Sequence, residues 1–221
     1  ALQSAGAKVK LIEIALGEEP KSVTVEQTFG AFYQKYTNRL AEIMQETSLT
    51  DVQDFVETLI KTRSLERQIL VLGNGGSASI ASHFVNDLAK LRFPEQELRF
   101  RAVSLTEHNS FITATANDEG YENIFLRQLE ILLSPGDLVV AISSSGNSEN
   151  VLRAVDYANK NGGITYGIVG FDGGKLREIS QKSIHIPSKK GQYGYAEDAT
   201  MILAHLVSIY LTERDQEMRG E

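Results

Sequence analysis

Gln68-Ile-Leu-Val-Leu-Gly-Asn-Gly-Gly-Ser-Ala-Ser-Ile-Ala-Ser-His-Phe-Val-Asn-Asp87 is the stretch on which the reading of this chain turns. Its four apolar residues, Ile69 to Leu72, predict a short strand buried on both faces. Gly73, Asn74, Gly75 and Gly76 break that strand, and Ser77 reads as the N-cap of a helix carrying Ile80, Phe84 and Leu88 at helical spacing. A strand that passes through glycines into a helix start can hold an anion. Backbone N–H groups approach the ligand closely there, and the helix dipole favours negative charge. The spacing fits neither Gly-x-Gly-x-x-Gly nor a Walker loop ending in Gly-Lys-Ser/Thr, so nucleotide binding is not the first expectation. A tight strand–helix connection with no ligand is the competing reading of this segment alone.

Downstream, the same alternation repeats. Phe100 to Leu105 predicts a second strand, followed by helices over Asn109 to Ala116 and Tyr121 to Leu133, with Asn117 to Gly120 as a turn between them. Ser134-Pro-Gly-Asp137 turns the chain into the strand Leu138 to Ile142, which ends in Ser143-Ser-Ser-Gly-Asn-Ser148. Val151, Leu152, Val155 and Ala158 mark the next helix, which Gly162-Gly163 stops. Ile164 to Val169 is a strand, Phe171 to Gly174 a loop, Lys175 to Ser180 a short helix and Ser183 to Ile186 a last strand. A final helix is predicted from Glu197 to about Arg214.

Upstream lie two helices. One, over Thr24 to Thr47, puts Phe29, Phe32, Tyr33, Tyr36, Leu40 and Ile43 on one face; the other, capped by Thr50 or Asp51, carries Val52, Phe55, Val56, Leu59 and Ile60. These helices either cover the flank of the sheet or pair with another copy of the chain. Strands alternating with helices imply βαβ crossovers and hence an α/β fold, a central parallel sheet flanked by helices. The expected organisation is an N-terminal extension over residues 1–22 and a single domain over 23–221 that includes the two N-terminal helices.

Composition narrows the class of function. The 221 residues are 42% hydrophobic and 23% charged, ordinary for a globular protein. A net charge of −7 argues against a general nucleic-acid binder. No cysteine is present, which removes disulfides, thiol chemistry and thiolate metal sites. No apolar run approaches a membrane span and no basic-apolar-small leader pattern opens the chain, so the cytoplasm is the expected compartment and neither membrane nor nucleic acid is an expected partner.

In open α/β sheets ligands sit beyond the carboxyl ends of the strands, where both polar loops are expected. The hydroxyls of Ser143, Ser144, Ser145 and Ser148 precede a helix N-terminus and contain no lysine among them, a cradle suited to a phosphate monoester on a small molecule. A capped, solvated turn is the competing reading. His83 and Asp87 stand four apart on one helical face, and Glu197 and His205 stand eight apart on another. Two imidazoles and two carboxylates can bind a divalent metal or divide acid and base roles. His108, near a loop, and His185, in a short strand, look less promising.

These motifs resemble those of the SIS (sugar isomerase) family and, within it, the sedoheptulose 7-phosphate isomerases. The resemblance rests on Gly73-Asn-Gly-Gly-Ser77, His83-Phe with Asp87, Ala116-Asn-Asp118, Ile142 to Ser148, Gly170-Phe-Asp-Gly-Gly174 and Glu197-Asp198 with His205. It implies a three-layer SIS fold with added N-terminal helices, a homotetramer with active sites at subunit interfaces, and an aldose–ketose isomerase acting on a sugar phosphate. It further implies substrate binding by Asn74, Gly75, Ser77, Asn117, Asp118, Ser143, Ser144, Ser145, Ser148 and Glu197. By the same resemblance Asp87 and His205 are catalytic, and His83, Asp87, Glu197 and His205 hold a divalent metal, zinc foremost. Three departures stand out: Asp87 where the family carries Glu, Glu197 where it carries Gln, and Thr200 where relatives often carry a third histidine. A non-catalytic SIS regulator that senses a sugar phosphate, or binds a protein, is the alternative from another functional class.

Overall fold

Short apolar runs bounded by glycines or by a turn become the strands of one parallel sheet. The computed structural model describes residues 25–91 and 98–217; the expected 1–22 extension and its boundary lie outside them. β1 (Gln68–Gly73), β2 (Arg101–Ser104), β3 (Leu138–Ser143), β4 (Ile164–Val169) and β5 (Lys182–His185) form a five-stranded sheet in the order β2-β1-β3-β4-β5. Every neighbouring pair is parallel. The helices are α1 (Val25–Glu46), α2 (Leu49–Ser64), α3 (Gly76–Lys90), α4 (Asn109–Asp118), α5 (Leu126–Leu132), α6 (Glu149–Lys160), α7 (Gly174–Ile179) and α8 (Tyr193–Glu217).

Alternate strand residues face opposite sides, and each side has its own core. Ile69, Val71, Val140 and Ile142 pack with Phe55 of α2, Phe84 of α3 and Leu203 and Val207 of α8. Leu70, Leu72, Val139 and Ala141 pack with Leu129 of α5, Val151 and Val155 of α6 and Leu176 of α7. Burial on both faces explains why the central strands read as unbroken apolar runs rather than alternating ones. Tyr166 on β4 is anchored on the first side, its hydroxyl 2.8 Å from the Asp51 carbonyl oxygen and 3.2 Å from Asp54 Oδ2. Burial, reinforced by Asp54, pushes its pKa up.

The chain divides into two compact units, residues up to Arg39 and Leu40–Glu221. In the first, α1 exposes Phe29, Phe32 and Tyr33, with the Phe29 and Phe32 ring centroids 6.4 Å apart. In the second, Ile43 from the end of α1 is fully buried. Among the described residues no helix is long and apolar enough to cross a membrane.

Several element ends differ from expectation, each for a local reason. The cap of α2 is Ser48 rather than Thr50 or Asp51, because its hydroxyl accepts from the Asp51 N–H at 3.2 Å. Ser77 is not the cap of α3. Gly75 is, with a positive φ of 54° that favours glycine, so Ser77 falls inside the first turn and is buried. The expected turn at Asn117 to Gly120 begins later, since α4 continues through Asp118. The single helix expected over Tyr121 to Leu133 is a short 3₁₀ turn, Tyr121–Asn123, followed by α5. The last helix starts at Tyr193, four residues ahead of Glu197, in a segment where Gly191 and Gly194 obscure the apolar period.

Candidate active site

β1 and β3 lie side by side, yet the chain visits β2 on the far side of β1 before returning to β3. That reversal of strand order opens a crevice at the carboxyl ends of β1 and β3, where ligands bind in sheets of this type. Gly73 pairs with Ile142, so the glycine loop and the serine loop leave the sheet as neighbours.

The serine loop is shaped by its own backbone. The Gly146 N–H donates to Ser143 Oγ at 3.1 Å and the Asn147 N–H to Ser145 Oγ at 3.3 Å. Gly146 has φ 63°, and a Cβ there would strike the Gly173 carbonyl oxygen, so only glycine fits. Ser148 is the residue before α6, and its hydroxyl makes no capping bond. The loop can therefore present hydroxyls and helix-start N–H groups to an anion.

A pair of amides ties the two loops together. Asn74 Nδ2 donates to Asn150 Oδ1 and Asn150 Nδ2 donates to Asn74 Oδ1, both at 2.9 Å. Asn150 is buried, and its Oδ1 also accepts from the Val151 N–H. Tyr121 adds a third bond, its hydroxyl donating to Asn74 Oδ1 at 2.9 Å. Asn74, expected to touch substrate, also joins β1 to α6 through its amide. Beside this pair a cleft of about 360 Å³ is lined by Asn74, Tyr121, Ser148, Asn150 and Arg153, among others. Tyr121, Asn150 and Arg153 were not singled out from the sequence. Their partners are remote in the chain, and only the serine-loop helix start hinted at them.

The second constellation lies further along α3. The Nε2 atoms of His83 and His205 are 2.8 Å apart, and Asp87 Oδ2 lies 3.4 Å from the first and 3.9 Å from the second. The rings meet edge to face at 73°, with centroids 4.8 Å apart. All three side chains reach solvent, with exposures of 42% for His83, 21% for Asp87 and 47% for His205. They converge because α3 and α8 pack alongside one another and run in the same direction: Glu197 lies against Gly76, and His205 lies against His83. At 2.8 Å one Nε2 carries the proton and the other accepts it; loss of that proton would free both Nε2 atoms, beside a carboxylate oxygen, as donors to a cation. Metal–ligand bonds of about 2.0–2.1 Å set tetrahedral ligand atoms roughly 3.3 Å apart, so this donor set fits a divalent cation with small side-chain movements.

The fourth expected ligand stands apart. The Glu197 carboxylate lies over Gly76 at the start of α3, where a Cβ on that glycine would overlap it. The group of potential ligands brought together comprises His83, Asp87 and His205. Thr200 is also away from the trio: it is buried, donates to the Ala196 carbonyl at 2.7 Å and lines a small apolar void with Phe55 and Phe84. Asn117 and Asp118 are exposed at the end of α4 and bonded to each other at 2.7 Å. Gly75, with φ 54°, has open space beside it. His108 stacks on Phe111, and His185 bonds to the Phe171 carbonyl.

The chain is similar in sequence and fold to known proteins. The SIS domain profile matches residues 31–170. The phosphoheptose isomerase of Trichlorobacter lovleyi is 40% identical over 149 residues, 67% of this chain and 76% of that protein. The solved phosphoheptose isomerase of Neisseria gonorrhoeae superposes with a TM-score of 0.76 at 27% identity, covering 86% of this chain and all of that one. The Vibrio vulnificus NanR protein, solved in complex with ManNAc-6P, shares the fold at a TM-score of 0.63 and 16% identity, covering 87% of this chain and 65% of that one. The parallel sheet, the paired loops at its switch point and this similarity across most of the chain lead to one assignment: the protein belongs to the SIS domain family, within its phosphoheptose isomerases.

Proposed function

We propose that this chain interconverts sedoheptulose 7-phosphate and a heptose 7-phosphate by metal-assisted proton transfer. The observation that carries the reading is the convergence of His83, Asp87 and His205 at α3, the helix that leaves the glycine loop, itself a neighbour of the serine loop. A pure sugar-phosphate sensor needs the loops and has no use for the trio. His83 stands seven residues beyond Gly76, about 10 Å along α3 at 1.5 Å per residue, which suits an extended sugar phosphate anchored at one end and reacting at the other.

In this reading Ser143, Ser145 and Ser148, with N–H groups at the start of α6, hold the phosphate. Ser77, Gly75 and the Asn74 backbone form the opposite wall, while Asn117 and Asp118 act only if a neighbouring subunit or a shift of α4 brings substrate to them. Isomerisation moves a proton between C1 and C2 and another between the two oxygens. A base removes the proton from the carbon next to the carbonyl, giving an enediol, and returns it to the other carbon; one oxygen gains a proton as the other loses one. We assign this proton transfer to Asp87 and His205. His83, Asp87 and His205 would hold the metal, zinc foremost, with Glu197 entering only by a rotamer change. When bound, a divalent cation supplies charge stabilisation at the carbonyl oxygen.

Homotetrameric assembly accompanies this proposal. The exposed Phe29, Phe32 and Tyr33 of α1, and Leu206, Ile209 and Tyr210 of α8, support it, since exposed apolar surface marks interfaces. The cytoplasm is the compartment that goes with it. NMR of ketose phosphates incubated with the protein and Zn²⁺, Mn²⁺, Co²⁺ or Ni²⁺ tests the activity: aldose signals should grow only with metal and phosphorylated ketose. Absence of conversion across the whole panel would leave the sensor reading. A monomeric mass by light scattering at micromolar concentration would refute the tetramer.

A further inference from the structure

His185 ends β5, and nothing in the proposed chemistry uses it. Its Nε2 lies 2.7 Å from the carbonyl oxygen of Phe171. A carbonyl only accepts, so Nε2 carries the hydrogen and the ring donates. Phe171 has φ 48°, a backbone region that residues with a Cβ rarely adopt. Such a conformation persists only when its surroundings impose it. Here they do so from three sides: the His185 bond, the Phe171 N–H donating to Ser188 Oγ at 3.2 Å, and the Tyr193 ring meeting the buried Phe171 ring edge-on at 5.0 Å.

What Phe171 shapes is the turn that supports the serine loop. The Gly173 N–H closes that turn on the Gly170 carbonyl at 2.8 Å. Beyond it, the Leu176 N–H donates to the Gly146 carbonyl at 2.8 Å and the Lys175 N–H to Asn147 Oδ1 at 3.1 Å. The Gly173 carbonyl also fills the space where Gly146 would carry a side chain. A displacement of Phe171 is therefore passed by direct contact to the middle of Ser143 to Ser148.

We propose that His185 is a positioning residue for sugar-phosphate binding: by donating to the Phe171 carbonyl it holds the Gly170–Gly174 turn in the form that presents the serine loop. The inference rests on the reading that the serine loop binds the phosphate. Its test compares wild type with His185→Ala, His185→Asn, His185→Gln and Ser145→Ala, measuring sedoheptulose 7-phosphate affinity by calorimetry, KM, kcat and the thermal midpoint. Glutamine places an amide N–H near the position of Nε2, whereas the asparagine amide falls short. His185→Ala and His185→Asn should each weaken binding and raise KM about fivefold, the worth of roughly one hydrogen bond, with kcat held within about twofold. His185→Gln should recover most of that loss. A role confined to stability would instead lower the thermal midpoint in all three variants and leave KM alone, which overturns the proposal. Should His185→Ala not fold, the contrast between Asn and Gln carries the same test. If Ser145→Ala weakens binding and the His185 variants do not, this inference alone fails; if Ser145→Ala has no effect, the phosphate assignment fails and the inference with it.

Discussion

The two halves of the candidate site are built by different means. The serine loop is a backbone object: its hydroxyls, its left-handed glycine and its helix start lie within six consecutive residues and bond to one another. The trio is a side-chain object, assembled from two helices whose histidines are 122 residues apart. The first is backed by the turn at Gly173, and the helix it leads into is tied to Asn74 through Asn150. The second depends on how α3 and α8 are seated. Binding and chemistry should therefore be separable by mutation.

The largest effect expected is at the trio. His205→Ala should lower turnover by about 10²–10⁴-fold, the usual worth of acid–base catalysis, with sugar-phosphate affinity retained in calorimetry on the same preparation. Loss of affinity alongside turnover would merge the two halves. Exhaustive chelation of wild type should abolish turnover reversibly, with Zn²⁺ restoring it and bound metal counted by elemental analysis; full activity after stripping excludes the metal mechanism.

Next comes the loop itself. Joint replacement of Ser143 and Ser145 by alanine should weaken sugar-phosphate binding about 10²–10⁴-fold, since hydrogen bonds to charged groups contribute about 1.5–3 kcal/mol each. Turnover at saturating substrate should change little. Calorimetry and saturation kinetics separate those outcomes, and an unchanged Kd removes the phosphate from this loop.

A smaller change is expected from Asn150→Leu, which leaves Asn74 Nδ2 without its acceptor and Asn74 Oδ1 with the Tyr121 hydroxyl alone. We expect a loss of about 1–3 kcal/mol in stability by denaturant unfolding, the cost of an orphaned buried polar group. The smallest concerns Glu197→Gln. A four-ligand site would lose metal affinity steeply on this change. With the carboxylate over Gly76 instead, metal titration should show less than about a threefold difference, under 1 kcal/mol.

How much of this was legible in the chain follows the same division. Ile69 to Leu72 and Leu138 to Ile142 announced buried strands because both faces are covered, and the serine loop announced itself because its shape is local. His83 with Asp87, and His205, were visible as helical spacings; that they meet was supplied by resemblance, because spacing on one helix says nothing about its neighbour. The Asn74–Asn150 pair spans 76 residues and the Tyr121 bond 47, beyond the reach of any periodicity. The start of α8 was misplaced because Gly194 interrupts the pattern while Ala196 and Ala199, small and buried, do little to reveal it. Glu197 was grouped with His205 on the strength of one helical face, yet eight residues carry it two turns away, to the other end of α3.

The partial exposure of His83, Asp87 and His205 has an evolutionary consequence. None of the three belongs to either hydrophobic core, and substitutions at such positions usually change stability by no more than about 0.5 kcal/mol. On the proposed reading, a lineage with this fold can lose the chemistry in a few steps without repacking anything, and keep a working receptor for a sugar phosphate. The reverse path is as short. A receptor needs only three side chains, at sites already facing water on two adjacent helices, to acquire the means of moving a proton. Catalysis in this architecture is a shallow trait laid on a deep one, and descendants of one ancestor can cross between enzyme and regulator while their interiors stay the same.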